Sequence, residues 1–467
     1  MRGWQSRRGM RHGHHVGAAP GGGRFSGKFR AAVAGLALLA ALPAGAADSQ
    51  QAPVTREEYD ALMKQMMALQ KEVTELKSQQ AATAKVVATA PASTTASTGK
   101  VAGKTFDSLQ GQIDEVKSIT DIVNPGDTKF VIAGSASSTF STYSNTPSNF
   151  GATFAPIFLW QLNDKLLVES EIEMELEDTS TIVNLEYADI SYELNDYMTL
   201  DAGKFLNPMN IFVERYEPNW INKLPDTPLA IYDGILPESN VGVQLRGAVP
   251  IGPSRLKYAG YASNAPRLIA DDSEAAGQLQ FDNFTSLSDY KAYGGRLGLE
   301  VIPGVEAGYG VQYANVTANT GGVGATSSFL QSVDLEVKRD SPALKGAFTL
   351  LGQYAWSNVG DVTYDPNGDL GFGPTNFTNN RSGGYLQLSY RPKRLSDFLN
   401  RFEFIVRGDM ANAPSSAPGA FDERRLTLGV DYWLTSFTVL KAAYELDERT
   451  NGEPNQNGFL LQIATGL

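Results

Sequence analysis

Along residues 129–467 hydrophobic and polar positions alternate with a period of two, which is the period of a strand whose successive side chains point to opposite faces. The pattern is clearest over Leu166–Glu177. Leu166, Val168, Ile172, Met174 and Leu176 share one face, and Glu169, Glu171, Glu173, Glu175 and Glu177 share the other. The same alternation sets Met198, Leu200 and Ala202 against Thr199 and Asp201. It sets Val241, Val243 and Leu245 against Gln244 and Arg246, and Leu426, Leu428, Val430 and Tyr432 against Arg425, Thr427 and Asp431. The last strand, with Phe459, Leu461 and Ile463 on one face, runs to the terminal Leu467. No run of 18 apolar residues offers a helical membrane span.

An oily face backed by an acidic one fits two architectures. A sandwich buries the oily face in a core, whereas a membrane barrel turns it to lipid and leaves the carboxylates in a wet lumen. Turn spacing selects the barrel. Short connections are read at 163–164, 195–196, 250–253, 303–304, 340–342, 391–400 and 434–436. They alternate with longer ones at 142–151, 178–181, 207–238, 264–289, 316–327, 358–381, 411–422 and 449–457. Short turns at one end and long loops at the other are the pattern of an outer-membrane barrel. The expectation is an all-β fold, a transmembrane antiparallel β-barrel of about 16 strands over 125–467.

Upstream the period changes. Residues 1–46 combine a basic start, an apolar run over Ala31–Leu42 and the small residues Ala44-Gly45-Ala46, which together read as a secretory signal. Within 47–79, Tyr59, Leu62, Met66, Leu69, Val73 and Leu76 alternate spacings of three and four, the stripe of a coiled coil. A helix this short is marginal alone, so burial against copies of itself is expected. Residues 80–104, rich in Ala, Thr and Ser, read as a flexible linker. In 105–124, Phe106, Leu109, Ile113 and Val116 mark a short amphipathic helix.

Charge and composition narrow the chemistry. The chain carries 39 Lys+Arg against 51 Asp+Glu; removing the signal takes seven bases and no acids, leaving 32 against 51, or −19. The histidines His12, His14 and His15 leave with it, and there is no cysteine. Ser-His-Asp and Cys-His catalysis and zinc sites built on His or Cys are thereby excluded from the mature chain. No catalytic residue, metal or cofactor is expected, and the acidity argues against nucleic acid.

Two constellations are candidates for function. The 207–238 connection is too rich in Trp, Phe, Tyr and Ile to be a solvated loop, so it is expected to fold inward and narrow the lumen, with Glu214, Arg215, Lys223 and Asp226 reaching the constriction. Packing against a neighbouring subunit is the alternative use of those aromatics. The second constellation is the ladder Glu169, Glu171, Glu173, Glu175 and Glu177. Arg246, Arg296, Arg407, Arg425 and Lys441 fall on inward positions as an opposing basic wall. Such carboxylates favour cations unless arginines on adjacent strands neutralise them.

The heptads over Leu62–Leu76, the run Gly203-Lys204-Phe205-Leu206-Asn207-Pro208 leading into the long connection and the strand that ends the chain together resemble trimeric 16-stranded outer-membrane porins with an N-terminal periplasmic coiled coil, near the phosphate-selective porin O/P-like group. The resemblance covers most of the mature chain. It implies an outer-membrane barrel with its N-terminal segment in the periplasm. It also implies a homotrimer, delivery by the barrel-assembly machinery, and passive diffusion of small hydrophilic solutes. Lysines and arginines select anions in that group. No basic run stands out here, and Leu467 occupies a terminus where an aromatic is usual. The competing reading is a plugged barrel with a structural or adhesive role, its coiled coil reaching toward peptidoglycan.

Overall fold

The computed structural model describes residues 128–467 apart from 178–179, 233–234, 271, 273–274, 282, 286–287, 319–322, 369–370 and 372. The signal, coiled-coil, linker and second-helix expectations lie outside the described residues, as does the side chain of Glu177.

Sixteen strands form the barrel. The first seven are β1 (Lys129–Tyr143), β2 (Thr146–Asn163), β3 (Leu166–Glu177), β4 (Ser180–Asn195), β5 (Met198–Leu206), β6 (Ser239–Ile251) and β7 (Ser254–Asn264). Next come β8 (Lys291–Ile302), β9 (Val305–Ala318), β10 (Thr326–Ser341), β11 (Gly346–Val359) and β12 (Asn379–Pro392). The last four are β13 (Phe402–Asn412), β14 (Glu423–Trp433), β15 (Thr438–Arg449) and β16 (Gly458–Gly466). Each strand pairs antiparallel with the next, and β16 also pairs with β1, from Ser135 opposite Gly466 to Tyr143 opposite Gly458. That last pairing closes the sheet and removes both edges.

Burial along the strands is inverted relative to a water-soluble protein. In β14, Arg425, Thr427 and Asp431 are buried, whereas Leu426, Leu428 and Val430 stand 42%, 50% and 38% exposed. The apolar face therefore looks outward around the wall, and the polar face looks into the lumen. Aromatic side chains gather at both ends of this outer band. Tyr293, Tyr313 and Phe329 are register partners near the loop end. Phe348 and Tyr390, with ring centroids 4.8 Å apart, and the Phe398, Phe402 and Tyr432 group lie near the turn end. From Phe329 to Arg339, the register partner of Phe348, β10 advances about 33 Å along the strand. At a strand tilt of about 40° that is about 25 Å of height, the thickness of the apolar band of such barrels.

Two expected loops are tighter than their composition suggests. Residues 142–151 are mostly paired: only Ser144 and Asn145 separate β1 from β2, and the ladder continues through Ser141 opposite Asn149. Phe140 and Phe150 face each other across it with centroids 4.9 Å apart. Likewise β3 ends at Glu177 and β4 begins at Ser180. The polar residues there decorate strands that extend past the apolar band.

Candidate functional site

The connection from β5 to β6 leaves the wall and returns to it at one point, because Leu206 and Ser239 are register partners. Its base is pinned locally. The Asn207 N–H donates to the Glu238 carbonyl at 2.9 Å, and the Asn207 side chain holds the Met209 N–H at 2.8 Å and donates to Asn240 at 2.5 Å. Asn210 then caps the six-residue helix α1 (Ile211–Tyr216), its side chain accepting from the Val213 N–H. Pro218 stops that helix, and Pro225 and Pro228 keep the later part of the connection out of any ladder. A second short helix, α2 (Leu229–Tyr232), precedes the return.

Among the described residues, the apolar side chains of the connection pack against the inner wall. Met209, Phe212, Leu224 and Leu229 are at most 1% exposed. The Met209 carbonyl accepts from Ser332 at 3.1 Å and Gln353 at 2.6 Å, on the β10–β11 wall. Phe212 packs edge-on against Tyr385 of β12, with centroids 5.8 Å apart. Leu224 shares a cluster with Ile405 and Ala443.

Charge fixes the path of the loop. Arg215 makes a bidentate pair with Glu306 of β9 at 3.0 and 3.1 Å, and Tyr216 donates to Glu336 of β10. Burial lowers the Arg215 pKa, but hydrogen bonding to Glu306 and the charges of Glu214, Glu306 and Glu336 more than offset this and hold it above its ordinary value. Lys223 reaches Glu403 of β13 at 2.9 Å, and Asp226 pairs with Arg425 of β14. Glu214 borders the open lumen, 3.9 Å from Arg246.

The expected basic wall divides accordingly. Arg246, its side chain 45% exposed, bridges Asp201 at 3.0 Å and Glu214 and faces the lumen. The other four are buried braces. Arg296 binds Glu306 at 2.8 Å and Asp334 at 2.6 Å. Arg407 binds Asp409 at 2.8 Å and the loop carbonyls of Asp226 and Thr227 at 2.9 and 3.0 Å. Arg425 sits among Asp226, Glu423, Glu445 and Asp447, and Lys441 donates to the carbonyls of Asn219 and Asn222. Arg407, Arg425 and Lys441 hold the loop to the wall, and Arg296 braces the wall strands that carry the loop's partner Glu306.

The acidic ladder lies on the other side of the lumen. Glu169, Glu171, Glu173 and Glu175 face inward on β3 and are half-buried. Asp189 stands directly opposite Glu169 in the β3–β4 register, and Asp201 accepts from Ser191 at 2.7 Å on the next strands. Sequence periodicity placed Asp201 inward but did not single out Asp189, Glu306, Glu336 or Glu403. Glu306, Glu336 and Glu403 are inward carboxylates that meet Arg215, Tyr216 and Lys223 of the inward loop, a pairing that periodicity alone does not give.

At the loop end, two further connections fold over the lumen beside the base of the inward loop. Leu268 and Leu279 are buried with Tyr364 and Phe377, whose rings stack with centroids 4.4 Å apart. Asn379 and Arg381 of β12 donate to the carbonyls of Gly277 and Ala276 at 2.6 and 3.1 Å. These connections and the base of the inward loop pack together against the β7–β12 arc.

No family model matches the chain, and no curated protein sequence matches it. Among solved structures, the anion-selective porin from Comamonas acidovorans aligns at 11% identity with a TM-score of 0.47, covering 73% of this chain and 100% of that one. The outer membrane channel DcaP of Acinetobacter baumannii aligns at 10% identity and 0.46, covering 74% of this chain and 98% of that one. OmpF of Salmonella typhi, in complex with daunomycin, aligns at 12% identity and 0.46, covering 73% and 98%. Function has therefore to be read from this chain's own residues.

Proposed function

We propose that the barrel lies in a bacterial outer membrane and forms a water-filled channel for passive diffusion of small hydrophilic solutes, with the 207–238 loop as its constriction. The observation that carries the reading is the inverted wall: an apolar, aromatic-edged outer face about one membrane thick around a charged lumen that one braced loop narrows. On this reading the chain is not an enzyme. The secretory signal, a homotrimer joined by the 47–79 coiled coil, assembly by the barrel-assembly machinery and kinship with coiled-coil porins belong to the same proposal. Its direct test is swelling of liposomes that hold the refolded chain: small sugars cause swelling and large dextrans do not. Swelling no faster than in protein-free liposomes would refute it.

The lumen wall points to cations. Glu169, Glu171, Glu173, Glu175 and Asp189 keep part of their surface in the lumen, whereas Arg246 is the member of the expected basic wall that does so. A wall of one sign concentrates the opposite ion in a low-dielectric cleft. Replacing Glu169, Glu171, Glu173 and Glu175 together by Gln is expected to lower the cation/anion permeability ratio several-fold, read as a reversal potential. An unchanged ratio would place ion selection elsewhere.

A further inference from the structure

The outer face of β10–β14 carries a feature that the channel does not use. Midway along these strands the outward positions are mostly large and apolar, but three on adjacent strands are glycines, Gly352, Gly384 and Gly408. The register aligns them in two rows. One row runs Val333, Tyr354, Gly384, Met410, Arg424, and the next runs Leu335, Gly352, Leu386, Gly408. Where side chains are missing the wall is hollowed into a trough of about 530 Å³. A Cβ placed on Gly408 would meet nothing within 4 Å.

The trough has one charged end. Asp334 and Asp409 also border it, but their carboxylates turn inward to Arg296 and Arg407 at 2.6 and 2.8 Å. Arg424 instead faces outward and is exposed. Among the described residues it makes no ion pair; its outward register neighbour Glu448 lies beyond the trough on β15. Since β14 begins at Glu423, Arg424 stands at the loop-side rim, whereas Val333 and Leu335 lie midway along β10. The hollow therefore climbs obliquely from the middle of the apolar band to a cation at its edge.

We infer that the trough holds an acyl chain of a phosphate-bearing lipid, with the phosphate bound by Arg424. This rests on the membrane placement proposed above. Hydrocarbon is the medium that face then meets, and a single flexible chain fills a narrow apolar furrow between strands. An arginine at the rim keeps its guanidinium in the headgroup layer, where it takes phosphate in a bidentate grip.

The test refolds the full chain into nanodiscs that mix phosphatidylglycerol with phosphatidylcholine and counts retained lipid by native mass spectrometry. The expected result is one retained lipid per chain, phosphatidylglycerol preferred about fivefold, the factor that one basic residue near a surface contributes. Gly408→Leu fills the furrow and abolishes retention. Arg424→Gln keeps the lipid and loses the headgroup preference. Should Gly408→Leu not fold, Leu386→Trp fills the same furrow from the next strand. Both substitutions face away from the lumen, so single-channel conductance stays at the parent value; absent conductance in the parent chain would count against the channel and not against the trough. Retention unaffected by filling, a phosphatidylglycerol preference that survives Arg424→Gln, or a dimer that Gly408→Leu dissociates would each overturn the inference, the last by making a second copy the occupant.

Discussion

Replacing Arg407 by alanine is expected to widen the channel and weaken the fold in one step. The side chain is fully buried, and its guanidinium joins three groups, the Asp409 carboxylate of its own strand and the loop carbonyls of Asp226 and Thr227. Removing it strands a buried carboxylate, and breaking a buried pair this way costs about 3–5 kcal/mol. Two loop carbonyls also lose their donor, at about 1–3 kcal/mol each if left dry. Admitting water is the cheaper outcome. The 226–227 segment then leaves the wall, so conductance rises and becomes noisier while the urea midpoint falls. Arg215→Ala is the milder companion. Arg215 is 26% exposed, and its partner Glu306 keeps Lys257 at 2.7 Å and Arg296 at 2.8 Å. An unchanged midpoint and conductance in Arg407→Ala would show that the loop is held by its apolar contacts alone.

The second large effect distinguishes lipid from water on the outer face. Leu428 sits at the middle of β14, 50% exposed and pointing outward. On a water-soluble barrel, Leu428→Arg would change stability by less than about 0.5 kcal/mol, as surface substitutions do. At the midplane of a bilayer the same change costs about 2–4 kcal/mol. Leu467→Arg, at the strand end, supplies the comparison, since the penalty falls toward zero near the interface. Equilibrium unfolding from vesicles reads the difference; equal, small effects at both positions would mean that the outer face does not meet lipid.

Most of the barrel was legible in the sequence because a strand's two faces meet different solvents. Once Leu166–Glu177 separates five apolar from five acidic positions, the orientation of every neighbouring strand follows from its own alternation. The burial of the 207–238 loop was legible for a related reason: a segment with Phe212, Trp220 and Leu224 cannot stay in water. The 142–151 loop is read too long because it is polar, and composition reports the surroundings of a strand rather than its hydrogen bonding. Ser141 and Asn149 pair as strands do, beyond the apolar band. The roles of Arg296, Arg407, Arg425 and Lys441 were not legible for a deeper reason. Their inward direction follows from periodicity, but what meets them depends on the register and, for Arg407, on a loop carbonyl 181 residues away in the chain. Arg246 and Arg425 occupy equivalent positions in the alternation, yet one faces the lumen and the other is enclosed by four carboxylates.

The most direct test is the reversal potential of the refolded chain in a planar bilayer across a potassium chloride gradient. A channel lined by carboxylates is expected to give stepwise conductance with a reversal potential displaced toward that of potassium, set by the Glu169–Glu175 wall. Folded, inserted protein that passes no current would contradict the channel itself.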